Sequence, residues 1–262
     1  MKKIVLTLAA VAAFTGSAYA ADMAPAPAYK ALPPPVVAPS WTGFYVFGGA
    51  GGGVWDADSH TVTVPGGTVL TQNQRMGGDG WLGTAGAGFD WQFNRNWVAG
   101  VFADGMFGSL RGSVTNNFFN VTGTEKLRDT WAVGARLGYL VAPNVYSYVN
   151  AGYTETYWSG STLSTAFLGI PVTTTPSFNR EGWFIGGGVE NNLDIFGISA
   201  PGFFMKTEYR AAYLNNITLP ESFLGTTTLT GFGPTMNSPL VQTITTSLVY
   251  RFNWGGPVVA KY

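Results

Sequence analysis

The sequence predicts an all-β chain: an eight-stranded antiparallel up-and-down transmembrane β-barrel with short periplasmic turns and four long external loops. Three observations predict it. Polar and apolar residues alternate with a period of two over eight separate runs. Beyond the first twenty residues no stretch gives the roughly 18 unbroken apolar residues of a membrane helix, although only 11% of the chain is charged and 15% is aromatic. Finally, the links between runs are alternately long and short.

In chain order, Lys2 and Lys3 precede an apolar stretch from Ile4 to Phe14 and a small-residue site at Ala18-Tyr19-Ala20. This is the pattern of a secretory signal peptide, residues 1–20, cleaved after Ala20. Cleavage removes the two lysines, so the formal net charge falls from +0 to −2. No basic excess is left for nucleic acid. Residues 21–40 carry Pro25, Pro27, Pro33, Pro34, Pro35 and Pro39, which favours polyproline II and predicts a semi-rigid periplasmic leader. The barrel is expected over 41–253 and a C-terminal tail over 254–262.

The first run, Trp41 to Trp55, places aromatics around six glycines. Glycine excludes an ordinary helix here, and it allows a narrow barrel to curve and leaves space for large residues from facing strands. Its inward face stays open, because Gly43, Gly49, Gly51 and Gly53 on one side stand against Gly48 and Gly52 on the other. Runs two and three are Gly80 to Gln92 and Trp97 to Phe107. The fourth, Leu127 to Val141, sets Leu127, Trp131, Val133, Leu137 and Tyr139 opposite Arg128, Thr130, Gly134 and Arg136, with Asp129 as the one misfit. Runs five and six are Val145 to Trp158 and Glu181 to Leu193. In the seventh, Phe203 to Tyr213, Lys206, Glu208 and Arg210 share one face. The eighth, Leu240 to Asn253, alternates Leu240, Ile244, Leu248, Tyr250 and Phe252 with Thr243, Thr245, Ser247 and Arg251. Each run reaches the roughly 9–11 residues a tilted strand needs to cross a bilayer.

The long links are 56–79, 108–126, 159–180 and 215–239; the short ones are 93–96, 142–144 and 194–202. That alternation suits an even-stranded barrel with both termini in the periplasm. A soluble barrel would turn its apolar face inward and carry more surface charge. Trp41, Trp55, Trp81, Trp91, Trp97, Trp158, Trp183 and Tyr213, near the run ends, are expected in the two interfacial aromatic girdles.

The segment WTGFY at 41–45, the Pro-rich leader after an Ala-x-Ala signal and the terminal YRFNWGGPVVAKY at 250–262 resemble the small alphaproteobacterial outer-membrane proteins of the RopB family, over the whole mature chain. The resemblance implies an eight-stranded outer-membrane barrel, often labelled a porin family member, with roles in envelope integrity and host contact. It implies no catalytic residue. Thr245, Ser247, Tyr250 and Phe252 also resemble the last-strand signature of outer-membrane substrates, with Ser247 where glycine is usual, and so form a candidate assembly signal for the barrel-assembly machinery. Expected partners are outer-membrane lipid and lipopolysaccharide, that machinery, and a host or surface ligand at the loops. No cofactor is expected.

Candidate chemistry is sparse. Residues 78–83 match G-x-G-x-x-G, but with a loop before and a Gly-rich strand after, so dinucleotide binding is not expected. The chain has no cysteine and one histidine, and His60, near Asp56 and Asp58, reads as a solvated loop residue. Asn120-Val-Thr122 and Asn216-Ile-Thr218 read as chance sequons. The alternation points Asp90, Asp104, Glu190 and Glu208 into the lumen with Arg128, Arg136, Lys206, Arg210 and Arg251. Eight strands enclose a space just filled by side chains, so these charges are expected to pair and plug it. A narrow diffusion channel lined by the same groups is the alternative.

Overall fold

A computed structural model describes residues 40–198 and 200–252. The signal peptide, nearly all of the leader, Asn253 and the tail lie outside the described residues. Eight strands form the wall: β1 (Gly43–Ser59), β2 (Gln74–Gln92), β3 (Trp97–Asn116), β4 (Val121–Ala142), β5 (Val145–Ser159), β6 (Phe178–Asn192), β7 (Phe203–Leu214) and β8 (Phe232–Arg251). Each pairs antiparallel with its chain neighbours, and β1 pairs with β8 to close the ring, with Tyr45 opposite Arg251. Closure leaves no open edge in the wall.

On β1 the odd-numbered residues point inward, so Tyr45, Phe47 and Trp55 are buried, as is Trp41 just before the strand, while Phe44, Val46 and Val54 are exposed. That face explains the pairing of large rings with bare backbone. The Phe47 ring lies across Gly86 of β2, where an added Cβ would come within 2.6 Å of its Cζ, and the Tyr45 hydroxyl lies closer still over Gly88. Higher up, the Trp55 indole crosses Gly112 of β3, with Cζ2 2.6 Å from an added Cβ. Glycine on neighbouring strands gives the inward rings of β1 the room they occupy.

The strands run well past the length a bilayer demands, because the external links are themselves largely paired. The expected loop 108–126 is a continuation of the β3–β4 hairpin to Asn116 and Val121, and β8 begins at Phe232. Short strands knit the remaining links together. Thr61–Thr63 pairs with Phe232–Pro234 of β8, Thr162–Thr165 with the start of β4 and with Pro171–Thr174, and Ser222–Phe223 with Thr173–Thr174. Ile217–Thr218 pairs with Met236 and Thr235. These segments are rich in Thr, whose β-branched side chain suits a strand while lacking the apolar alternation of a lipid-facing one. The G-x-G-x-x-G stretch lies wholly inside β2, without a following helix.

One irregularity changes which way side chains point. Opposite Trp158 and Tyr157 of β5, Leu127 and Asp129 of β4 pair with Arg128 left between them. This is a β-bulge, and it resets the alternation. Below it Ala132, Arg136 and Leu140 are buried; above it Leu127, Glu125 and Val121 are.

Candidate functional site

The lumen holds two charged layers. In the lower one, nearest the periplasmic end, each of the four even-numbered strands contributes a residue: Asp90 from β2, Arg136 from β4, Glu190 from β6 and Arg251 from β8. Arg136 donates through Nε and Nη2 to the two oxygens of Asp90 at 2.9 and 2.5 Å, and through Nη1 to Glu190 Oε2 at 3.2 Å. Arg251 donates through Nε to Glu190 Oε1 at 2.7 Å and through Nη2 to Asp90 Oδ2 at 2.8 Å. Such forked, charge-assisted bonds are the strong ones. Aromatic rings clothe the layer, with Arg136 4.2 Å from the Tyr45 ring centre and Arg251 4.4 Å from that of Trp41. Cation–π attraction is strongest where both partners are desolvated, and all four side chains are 4% exposed or less.

The second layer is built mostly by β7. Arg210 donates to both oxygens of Asp104 at 3.0 and 2.6 Å and to Glu208 Oε1 at 2.8 Å. Lys206 Nζ lies 3.7 Å from Glu208 Oε2, which accepts from the Tyr148 hydroxyl at 2.8 Å. Phe47 and Phe184 cover the cations from two sides, at 3.3 Å from Lys206 Nζ and 4.4 Å from the Arg210 guanidinium. Each layer is neutral, with two cations and two anions. Above the second layer a cavity of about 20 Å³ lies between Leu82, Met106, Leu127, Arg210 and Val241, room for about one water.

Arg128 does not join these layers. The bulge turns it outward, where it lies 3.5 Å from Asp129 with about half its side chain exposed. This corrects the expected five lumen cations to four. A second correction concerns the girdle residues. Trp41, Trp55 and Trp158 are at most 2% exposed and face the lumen, because on β1 and β5 they fall in phase with the inward residues Tyr45 and Tyr148. Trp81, Trp91, Trp97, Trp183 and Tyr213 stand on the outer face, 42% to 71% exposed. They fall near the two ends of that face, with Trp97 edge-on to Tyr139 and Trp183 stacked on Tyr213. On β8, Tyr250 and Phe252 point outward, and Thr245 and Ser247 inward.

At the external end, Asn116 joins three links into a roof. Its Oδ1 accepts from Thr61 Oγ1 at 3.0 Å and from the Phe118 N–H at 3.0 Å, and its Nδ2 donates to Glu221 Oε1 at 2.7 Å. Thr61, Asn116 and Glu221 are buried, and the apolar residues Leu219 and Met236 continue the core of the lumen up into the loops. Glu125 is also fully buried here, and neither carboxyl oxygen has a hydrogen-bond partner among the described residues. Nothing in the periodicity pointed to Glu125, because the bulge puts it out of step with Arg136; Asn116 and Glu221 sat in segments that read as loops. His60 lies at the roof's edge, its Nδ1 3.5 Å from the Asn237 amide, while Asp56 is held by Arg75 at 2.6 Å.

The family model described as outer membrane protein beta-barrel domain matches residues 6–252. The chain is 26% identical over 234 residues to the 31 kDa outer-membrane immunogenic proteins of Brucella melitensis and Brucella suis, covering 86% of this chain and 93% of theirs. Among solved structures, the outer membrane protein OprG of Pseudomonas aeruginosa is similar with a TM-score of 0.44 at 10% identity, over 80% of this chain and 97% of that one. The sequence matches support a small outer-membrane barrel of alphaproteobacterial type and do not single out the RopB name.

Proposed function

The chain belongs to the outer membrane protein beta-barrel domain family and is a protein of the bacterial outer membrane, and from that premise we propose that it is a closed, non-enzymatic barrel. Its work is structural in the envelope, with the external loops as its contact surface. One observation carries this reading: two neutral layers of buried, mutually bonded charges cross a lumen that eight strands leave little wider than the side chains themselves. A conducting path needs charges that exchange their partners for water and ions. Here each guanidinium is held by two carboxylates and covered by rings.

His60 supports no hydrolytic role, since the nearby Asp56 is committed to Arg75 and the imidazole meets an amide instead. The Brucella relatives are named outer-membrane immunogenic proteins, which supports loops open to the cell exterior. The outward rings of both rows would anchor the wall at the lipid interfaces, lipopolysaccharide included, with Trp131 and Trp183 near the external boundary. The last strand would be the segment read by the barrel-assembly machinery through Tyr250 and Phe252.

A narrow channel is the second reading, and the buried Asn150 amide and Arg210 Nε, polar groups without partners beside the layers, favour it as places where a file of water would bond. Single-channel recording of residues 21–262, refolded in lipid and checked for the heat-dependent gel shift of a closed barrel, separates the two. A folded but silent barrel supports the plug. Steady ion-selective openings altered by Glu208→Gln would overturn it.

A further inference from the structure

The roof hides two carboxyl groups by means unlike those of the lumen. Glu125 sits on β4 six residues beyond Trp131, roughly 20 Å along the strand at about 3.3 Å per residue, and so on the external side of the membrane-spanning part. It is 0% exposed, and among the described residues no donor bonds to either oxygen. A carboxylate in that position would have neither a counter-charge nor water, which is far costlier than burying the neutral acid. Across the hairpin from it lies Gly112, over which the Trp55 indole is laid, and Trp158 packs edge-on against Trp55 at 5.1 Å.

The charges around this space do not answer it. Arg111 and Lys126, its neighbours on the hairpin, belong to the outer face, as do Arg75, Asp58 and Asp79 on β1 and β2. Arg180 of β6 falls on the inward side but makes no ion pair among the described residues, and His60 is turned to Asn237. From the loops the titratable group is a second acid, Glu221, held at 2.7 Å by Asn116. Burial pushes the Glu125 carboxyl up to about 8, against a weak pull from the Lys126 N–H that falls short of bonding geometry, and it raises Glu221 as well against its bond to Asn116.

The links beside Glu125 are joined to one another and to the strand tips through short ladders and the Asn116 bonds. Two residues above it on the same face, Ser161 closes over Gly123, its Oγ 2.6 Å from where a Cβ would stand, and the link strands that join the tip of the hairpin there are two to four residues long. Small units with few buried contacts open locally at low cost while the wall stays intact. We propose that the roof is a pH-operated latch, which holds the external mouth shut while Glu125 is protonated and loosens when it ionises. A carboxyl raised on folding contributes stability that is complete below its ordinary value, about 4.5, and lost as pH rises through the folded value, about 8. The latch is therefore an acid-closed one, and it does not depend on whether the lumen below conducts.

The chain has no cysteine, so spin labels can be placed at Thr124→Cys on the hairpin and Thr227→Cys at the tip of the last loop, both exposed. Pulsed electron–electron distance measurements on the refolded chain should give a narrow distribution at pH 5 that broadens as pH rises, with the change complete by about pH 8 and nothing further to pH 9. Glu125→Gln should stay narrow at both. Identical distributions at the two pH values, or the same broadening in Glu125→Gln, would overturn the proposal. Should that variant fail to show the folded gel shift, the wild-type titration alone decides: no transition between pH 5 and pH 9 rejects the latch.

Discussion

The two ends of the enclosed core solve one problem in opposite ways. In the lumen, Asp90, Glu190, Asp104 and Glu208 are buried as ions because Arg136, Arg251, Arg210 and Lys206 stand against them. Under the roof, Glu221 is buried with the Asn116 amide for company and Glu125 with no bonded partner, and neither makes an ion pair among the described residues. Desolvation acts on both sets alike; the counter-charge is what differs. The lesson is that burial alone does not tell whether a carboxyl is a structural ion or a titrating group, whereas the identity of its neighbours does.

The comparison breaks most directly at Arg136. Arg136→Leu leaves Asp90 and Glu190 sharing one cation, and losing one partner of a buried pair costs about 3–5 kcal/mol. The folded-to-unfolded gel transition should move accordingly, whereas Thr227→Ala in the exposed loop should barely move it. A shift no larger than that of the loop variant would mean the lower layer is not a structural ion network. Next in size is Asn116→Ala, which unhooks Thr61 and Glu221 together and should cost about 1–3 kcal/mol. Its effect should appear as faster cleavage of the roof by a nonspecific protease with the gel shift of the wall unchanged. Equal loss in both readouts would show that roof and wall unfold as one unit.

A pH series sharpens the contrast further. Roof protection from that protease should fall between pH 5 and pH 8 in the wild type and stay level in Glu125→Gln, as the raised carboxyl predicts. The smallest change belongs to Arg128→Ala, whose exposed pair with Asp129 should matter by no more than about 0.5 kcal/mol. A large effect there would place Arg128 back in the lumen.

Much of the wall was legible because lipid on one side and a filled lumen on the other impose a strict period of two. All eight runs correspond to wall strands, and Asp90, Arg136, Glu208 and Arg251 were on the face the alternation assigned to them. The errors share a cause, since alternation gives relative phase only. Nothing local in the sequence marks the bulge that sends Arg128 outward and Glu125 inward. Trp41 and Trp55 looked like membrane anchors because aromatic rings at a strand end serve either face; only the phase of Tyr45 and Phe47, visible once the inward side is known, decides between them. The roof was illegible for another reason. Its Thr-rich strands are two to four residues long, several pair with partners far along the chain, and so no apolar rhythm announces them.

The lower layer draws one residue from every second strand, and the last of these, Arg251, lies one residue from the end of the described chain. Without β8, Asp90 and Glu190 share a single guanidinium and the lower layer carries an unbalanced negative charge. The ring and its charge balance are therefore completed in the same event. A chain truncated before its final strand would lack both a wall and a counter-ion.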